Sequence, residues 1–201
     1  MTDGYFYQLK AEEKGFRAVC GIDEAGRGPL AGPVCAAAVI LPAGCDIDGM
    51  DDSKKLSEAK REALFDIVKG KALSYGIGWA SEQEIDEYNI LQATFLAMRR
   101  AVEAMPAPAD YALVDGNRMP PLAIPGETIV KGDSKCACIA AASILAKVSR
   151  DRKLCEIDAV YPEYGFAKHK GYGTKAHYEA IKKYGVLPIH RRSFLRNLSE
   201  K

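Results

Sequence analysis

The chain is poor in the residues that build zinc sites, and it has no long apolar run. It contains three histidines and six cysteines, no cysteines form a Cys-x-x-Cys pair, and the histidines are not spaced with them as zinc ligands are. We therefore expect buried free thiols in a reducing compartment. Apolar stretches such as residues 33–42 are too short to cross a bilayer, and residues 1–4 lack the cationic start of a signal peptide. These absences predict a cytoplasmic protein without membrane contact.

A net charge of only +1 hides a strong asymmetry along the 201 residues. Residues 1–130 carry 13 Lys or Arg against 20 Asp or Glu, whereas residues 131–201 carry 15 against 7. An acidic part joined to a basic part suits a metal-dependent enzyme that acts on a polyanion, although a merely solvated basic helix would give the same pattern. We expect one domain over residues 1–201, with a basic helical C-terminal part from about 160 that contributes to substrate binding.

Two apolar segments end abruptly in carboxylates and a glycine turn. Residues 18–23 predict a strand that ends in Asp23 and Glu24, and the turn Gly-Arg-Gly follows at residues 26–28. Residues 111–114 repeat this pattern before Asp115. Charged groups at a strand end are costly to desolvate, so they usually face a cleft, a metal or a cationic partner. A polar turn would explain one such pair, but the repetition favours a functional site.

The remaining pattern predicts strands that alternate with helices. Further strands are expected over residues 34–41, 72–80 and 129–130. Helices are expected within residues 1–16, over 58–68 after an N-cap at Ser57, and over 136–159. Two more helices are expected from a capping box at 81–84 to about 105, with a break near Asn89, and from Thr174 to 184. The short Gly-rich and Pro-rich connection at residues 26–33 predicts that the first two strands pair antiparallel. The fold class expected is α/β, with a mixed central sheet flanked by helices.

Carboxylates at the strand ends and at a helix start are candidate metal ligands: Asp23, Glu24, Asp115 and Asp133. If these ends converge, oxygen-only ligation selects Mg²⁺ or Mn²⁺, and two such ions would activate a water and stabilise the leaving oxygen of a phosphodiester. Adjacent strand residues point to opposite faces, so we expect Glu24 to offer its main-chain carbonyl oxygen. Asp133 has an alternative role as the N-cap of the helix that begins near residue 136.

Several segments together resemble bacterial ribonuclease HII, of the type 2 ribonuclease H family. They occur in the family's order between about residues 18 and 195: GIDEAGRGPLAG at 21–32, LVDGN at 113–117, KGDSK at 131–135, AAASILAK at 140–147 and HKGYGT at 169–174. The resemblance implies a ribonuclease H-like fold and an endoribonuclease that hydrolyses the RNA strand of RNA-DNA hybrids. It also implies cleavage on the 5′ side of single ribonucleotides in duplex DNA, giving 3′-hydroxyl and 5′-phosphate ends, in ribonucleotide excision repair.

The resemblance also implies roles for individual residues. It assigns the four carboxylates as catalytic metal ligands, the turn Gly26, Arg27 and Gly28 as the reader of the ribose, and Tyr172 as a contact to the neighbouring sugar at the RNA-to-DNA junction. Glycines allow close main-chain approach, and Arg27 can hold a phosphate. Other basic residues are candidate phosphate contacts, or are simply solvated: Lys54, Lys55, Lys168, Lys170, Arg191 and Arg192.

The three histidines are candidates for proton transfer, although a structural role or a substrate contact is the preferred explanation: His169, His177 and His190. We expect a monomer that binds nucleic acid. Two alternatives stay open at this point. A junction resolvase of the same fold would share the carboxylates without needing the Gly-Arg-Gly reader, and a catalytically silent nucleic-acid-binding module would use the basic C-terminal part alone.

Overall fold

A five-stranded mixed sheet forms the centre of the computed structural model, which describes residues 4–45, 47–50 and 56–195. The strands are β1 (Val19–Ala25), β2 (Val34–Ile40), β3 (Ser74–Ala80), β4 (Tyr111–Asp115) and β5 (Gly126–Ile129). Their order across the sheet is β3-β2-β1-β4-β5, with antiparallel pairs β1-β2 and β2-β3 and parallel pairs β1-β4 and β4-β5. The predicted mixed sheet and its antiparallel first pair are confirmed.

The helices lie close to their predicted positions. They are α1 (Phe6–Glu13), α2 (Glu58–Lys71), α3 (Glu82–Glu103), α4 (Ala137–Val160), α5 (Phe166–His169) and α6 (Lys175–Tyr184), with 3₁₀ turns at Gly132–Ser134, Pro162–Tyr164 and Arg192–Phe194. Ser57 and Thr174 cap α2 and α6 through their hydroxyl groups, and Ser81 forms the predicted capping box with Glu84. Asn89 interrupts α3 with a φ of 70°, as predicted.

Glycines let the helices lie close against both faces of the sheet. A Cβ at Gly21 of β1 would overlap the main chain of Cys138 in α4, and one at Gly78 of β3 would overlap the main chain of α3. The core therefore has two layers, one between the sheet and α2 and α4, the other between the sheet and α3. All six cysteines are free thiols, and four of them are buried. None of the helices described is both long enough and apolar enough to cross a membrane.

The C-terminal part has its own small core, which packs on α4 and on the connection between β1 and β2. Its buried residues include Phe166 and Ile181 from α5 and α6, and they contact Leu30 of the connection and Leu154 of α4. The connection also makes an isolated β-bridge, between Ala31 and His190. The Gly-Arg-Gly turn is thus fixed between the sheet, α4 and the C-terminal part.

Candidate active site

The ends of β1 and β4 bring carboxylates together at one edge of the sheet. These neighbouring strands are parallel, with Ile22 paired to Val114, so the next residue of each strand is Asp23 or Asp115. Both carboxylates and Glu24 line one cleft of about 410 Å³. Residues from other elements complete its walls, among them Arg61 of α2, Ser143, Lys147 and Arg150 of α4, and Tyr172 after α5.

Asp23 is the most buried of these carboxylates, with 6% of its surface exposed. Its Oδ1 accepts a hydrogen bond from the main-chain N–H of Glu24 at 2.7 Å. Burial, followed by the charges of Glu24 and Asp115, raises the pKa of Asp23 well above its usual range, although a hydrogen bond with Ser143 opposes the shift. The folded chain therefore holds negative charge here at a cost, which is typical of a functional site.

Glu24 faces the α3 side of the sheet, as the alternation along β1 requires. Its Oε1 accepts a hydrogen bond from Arg27 at 3.2 Å. Burial raises the pKa of Glu24, the charge and the hydrogen bond of Arg27 lower it, and the charge of Asp115 raises it further. The side chain is thus turned toward the Gly-Arg-Gly turn, which leaves its main-chain carbonyl oxygen as the predicted ligand.

Asp115 contacts the short 3₁₀ turn before α4, which also carries Asp133. The main-chain N–H of Gly132 donates to Asp115 Oδ1 at 2.6 Å, and Asp133 follows within the 3₁₀ turn. Asp133 is 4% exposed and does not line the cleft that the other three carboxylates share. Its alternative role as the N-cap of α4 is wrong, because the N-cap residue is Cys136.

The donors in the cleft are the type that hard divalent cations prefer. Asp23 and Asp115 offer carboxylate oxygens and Glu24 its main-chain carbonyl oxygen, and the repulsion among the three carboxylates in a partly buried site would be relieved by a bound cation. Within the described ranges, however, no three acidic, histidine or cysteine side chains lie in an arrangement that already forms a metal site. The residue types therefore fit Mg²⁺ or Mn²⁺, and binding requires the carboxylates to turn toward one another.

The two glycines of the Gly-Arg-Gly turn have different structural roles. Gly26 has a φ of +97°, and a Cβ there would overlap the guanidinium group of Arg150. Gly28 has an ordinary φ, and the nearest atom that its Cβ would meet is Cε1 of Tyr172, at 3.5 Å. Gly26 is therefore required by the fold, whereas a Cβ at Gly28 would make an ordinary van der Waals contact with the exposed ring of Tyr172.

Two buried arginines hold this turn from behind. Arg150 donates to the main-chain oxygens of Pro33, Ala31 and Lys170 at 3.0, 3.2 and 3.0 Å. Arg191 donates to those of Gly26, Arg27 and Gly32 at 2.6 to 2.9 Å. The expectation that Arg191 contacts phosphate is wrong, because its side chain is fully buried and its guanidinium hydrogen-bonds the main chain. Sequence analysis missed the role of both residues, and no local pattern signals it.

The predicted lysine contacts have mixed outcomes. Lys54 and Lys55 lie outside the described residues. The Nζ of Lys170 lies 3.1 Å from Glu58 Oε1 and 3.3 Å from Cys155 Sγ, so this side chain is held on α2 and α4. Lys147, which was not predicted as a site residue, lines the cleft and forms an ion pair with Asp151 at 2.7 Å.

No histidine lines the cleft. His177 and His190 are 0% and 2% exposed, and their Nε2 atoms lie 3.1 Å apart. His169 stacks on His177 with a centroid distance of 4.4 Å. These contacts favour the structural explanation over proton transfer.

Comparison with known proteins places the chain beside one family. The family described as Ribonuclease HII matches residues 20–197. A ribonuclease HII of Clostridioides difficile (strain 630) is 56% identical over 192 residues, which cover 96% of this chain and 75% of that protein. Another, of Geobacter sulfurreducens, is 56% identical over 188 residues, covering 94% of this chain and 87% of the relative. The crystal structure of ribonuclease H2 from Pyrococcus horikoshii OT3 superposes with a TM-score of 0.75 at 29% identity, covering 92% and 98% of the two chains. The expected ribonuclease H-like fold is confirmed.

Proposed function

This chain belongs to the ribonuclease HII family and is an endoribonuclease, and we propose that it cuts duplex DNA on the 5′ side of single embedded ribonucleotides as well as hydrolysing the RNA strand of RNA-DNA hybrids. The products are a 3′-hydroxyl and a 5′-phosphate end. The observation that carries this proposal is that three carboxylates, Asp23, Glu24 and Asp115, line one cleft together with Tyr172 and with Gly26, the first residue of the Gly-Arg-Gly turn. A site that combines negative ligands with main-chain donors suits a phosphodiester whose sugar must be inspected.

The carboxylates supply the hydrolytic part of the site. Asp23, Glu24 and Asp115 would hold divalent cations, with Asp133 behind them at the turn that supports Asp115. When bound, Mg²⁺ or Mn²⁺ stabilises negative charge on a phosphate and lowers the pKa of water. The protein itself fixes the positions of these ligands, because two of them end adjacent parallel strands.

The turn and the tyrosine supply selectivity for ribose. A 2′-hydroxyl both donates and accepts hydrogen bonds, and main-chain groups at Gly28 can approach a sugar closely because no Cβ blocks them. Arg27 has a half-exposed side chain beside Glu24 and is placed to hold the adjacent phosphate. The ring of Tyr172, 46% exposed, faces the same space and would pack on the next sugar.

The basic C-terminal part, from about residue 160, would then contribute to binding of the duplex backbone. Lys168 and Arg192 are exposed, as phosphate contacts need to be. Such contacts position a duplex without reading its sequence. We propose that the protein acts as a cytoplasmic monomer in genome maintenance.

The direct test uses purified protein and labelled duplex DNA that carries one ribonucleotide. Reactions contain Mg²⁺, Mn²⁺ or a chelator, and an all-DNA duplex of the same sequence is the control. We expect metal-dependent cutting at the 5′ side of the ribonucleotide only. Cutting of the all-DNA duplex, or of a branched junction in preference, would support a resolvase, whereas binding without chelator-sensitive cutting would support a silent binding module.

A further inference from the structure

Two buried histidines form a hydrogen-bonded chain that ends on the main chain of Tyr172. The Nε2 atoms of His177 and His190 lie 3.1 Å apart. At the far end, His190 Nδ1 accepts a hydrogen bond from the main-chain N–H of Leu187 at 2.9 Å. At the near end, His177 Nδ1 lies 2.9 Å from the carbonyl oxygen of Tyr172. The chain therefore joins the segment after α6 to the tyrosine that lines the cleft.

Only one arrangement of protons satisfies all three contacts. The N–H of Leu187 can only donate, so Nδ1 of His190 carries no proton and its neutral ring is protonated on Nε2. That N–H donates to Nε2 of His177, whose own proton is then on Nδ1 and donates to Tyr172. Burial lowers the pKa of both rings, that of His190 to about 4, so both are neutral at pH 7.

The segment that carries Tyr172 needs such external support. It lies between Gly171, which has a φ of +82°, and Gly173, and glycines restrict the backbone least. The Tyr172 carbonyl accepts a second hydrogen bond from Thr174 N–H at 2.8 Å, and the Gly171 carbonyl accepts one from Leu30 N–H at 2.8 Å. Hydrogen bonds, rather than torsional preference, thus hold the exposed ring near Gly28.

We propose that His177 is a positioning residue that holds Tyr172 against the ribose-reading turn and so contributes to recognition of the RNA-to-DNA junction. This inference rests on the proposed function, in which Tyr172 contacts the sugar at that junction. His177 is fully buried and acts only through the tyrosine. Its loss should therefore affect junction substrates more than long hybrids, where many other contacts hold the duplex.

Two matched substitutions separate this role from packing. In His177→Asn, the side-chain amide can take the place of Nδ1 and donate to the Tyr172 carbonyl oxygen. In His177→Gln, the amide extends to the place of Nε2, which keeps the contact with His190 and loses the one with Tyr172. Both variants lose the same ring, so their losses of packing should be similar.

The readout is kcat/KM on duplex DNA with one ribonucleotide and on a long RNA-DNA hybrid, with melting temperatures measured in parallel. For the single ribonucleotide we expect a loss of roughly tenfold in His177→Gln and less than about threefold in His177→Asn. On the long hybrid both variants should stay within about threefold of the wild type. Equal losses on the junction substrate would overturn the proposed role.

A double-mutant cycle tests whether His177 acts through Tyr172. In a Tyr172→Ala background, His177→Gln should cause no further loss on the junction substrate, and a full additional loss would overturn the inference. A Tyr172→Ala variant with wild-type selectivity would overturn it as well. Failure of the proposed function would give a different result, because the wild-type enzyme itself would then not cut at a ribonucleotide. That result is known before any variant is compared.

The positions of the ring protons can be measured in the wild-type protein, and this test does not depend on whether the variants fold. The chain has three histidines, which makes their ring nitrogen signals simple to assign by NMR. We expect the Nδ1-protonated form for His177 and the Nε2-protonated form for His190. His169 should also be protonated on Nε2, because its Nδ1 accepts from Gly171 N–H. An Nε2-protonated or charged His177 at pH 7 would overturn the inference.

Discussion

Arg191 donates through Nη2 to the main-chain oxygen of Gly26 at 2.6 Å, across a separation of 165 residues. Burial lowers the pKa of Arg191 to about 9, so its guanidinium remains charged at pH 7. Charge-assisted hydrogen bonds to carbonyl oxygens are stronger than neutral ones and fix direction as well as distance. The turn that would read the ribose therefore has its shape set by a side chain from the other end of the described chain.

Substitution of Arg191 tests this support. Arg191→Gln removes hydrogen bonds to three main-chain oxygens, so we expect the free energy of unfolding to fall by about 3 kcal/mol. We also expect cleavage at a single ribonucleotide to fall at least about tenfold at a temperature where the variant is folded. Chemical denaturation and cleavage assays measure the two effects. Arg192→Gln, at the exposed neighbouring position, is the control for stability and should leave the free energy of unfolding almost unchanged. A folded Arg191→Gln with normal cleavage would contradict the prediction.

The two glycines of the turn should respond differently to the same added methyl group. Gly26→Ala places a Cβ on the guanidinium of Arg150 at a φ of +97°, so we expect a marked fall in melting temperature. Gly28→Ala has room for its Cβ, so the melting temperature should stay within a few degrees. Its cleavage at a single ribonucleotide should nevertheless fall, because the methyl group occupies the approach to the sugar. Equal melting temperatures for the two variants, or normal cleavage by Gly28→Ala, would count against this assignment.

Asp23→Asn should separate catalysis from binding and from stability. The substitution removes one of three negative charges that repel each other in a partly buried cleft, so we expect cleavage to be abolished while the melting temperature without metal is unchanged or higher. Hybrid binding should persist, since it depends mainly on contacts to the backbone. Addition of Mn²⁺ should raise the melting temperature of the wild type and raise that of Asp23→Asn less. Normal turnover by this variant would falsify the metal-site assignment.

Acidification should destabilise the protein through its buried histidines. Burial, then repulsion from His177 when both rings are protonated, lowers the pKa of His190 to about 4 in the folded state, from 6.5 in the unfolded chain. Between these values the unfolded chain binds more protons, so the stability present above pH 6.5 is lost as the pH falls toward 4. The loss at pH 5 should be roughly 2 kcal/mol.

Thermal unfolding between pH 7.5 and pH 5 measures this dependence, and His190→Gln is its control. That variant should be less stable than the wild type at pH 7.5, but its free energy of unfolding should fall less on acidification. If stability depends on pH equally in both proteins, titratable groups other than His190 dominate the loss of stability at low pH. The rings that face His190 are the aromatic groups of Tyr164 and Phe166 and the imidazole of His177.

Features that depend on short stretches of sequence were predictable. The strand expected over residues 18–23 is Val19–Ala25, and the capping box at Ser81 forms as expected. The break at Asn89 also has a local cause, because asparagine tolerates positive φ and its Oδ1 accepts from the N–H groups of Leu91 and Gln92. For the same reason the carboxylates Asp23 and Asp115 could be placed at strand ends.

Features that depend on distant partners were not predictable. The last strand was expected only at residues 129–130 but is Gly126–Ile129, since parallel pairing with β4 overrides the weak strand preference of its first residues. Arg191 was expected at the surface and Arg150 was not singled out, because arginine is mostly exposed and the main-chain oxygens that accept hydrogen bonds leave no mark in the sequence. The main-chain oxygens of Pro33, Ala31 and Gly26 accept these hydrogen bonds, and they lie 117, 119 and 165 residues earlier in the chain.

Gly26 and Arg191 are also separated in time while the chain is synthesised, because they lie 165 residues apart. At about 5 to 20 residues per second, a ribosome needs on the order of 10 to 30 seconds to go from the turn to the arginine that clamps it. Until Arg191 is made, the turn lacks the hydrogen bonds that this side chain donates to the main-chain oxygens of Gly26, Arg27 and Gly32. A product that stops before Arg191 therefore carries Asp23, Glu24 and Asp115 but lacks the side chain that fixes the turn proposed to read the ribose.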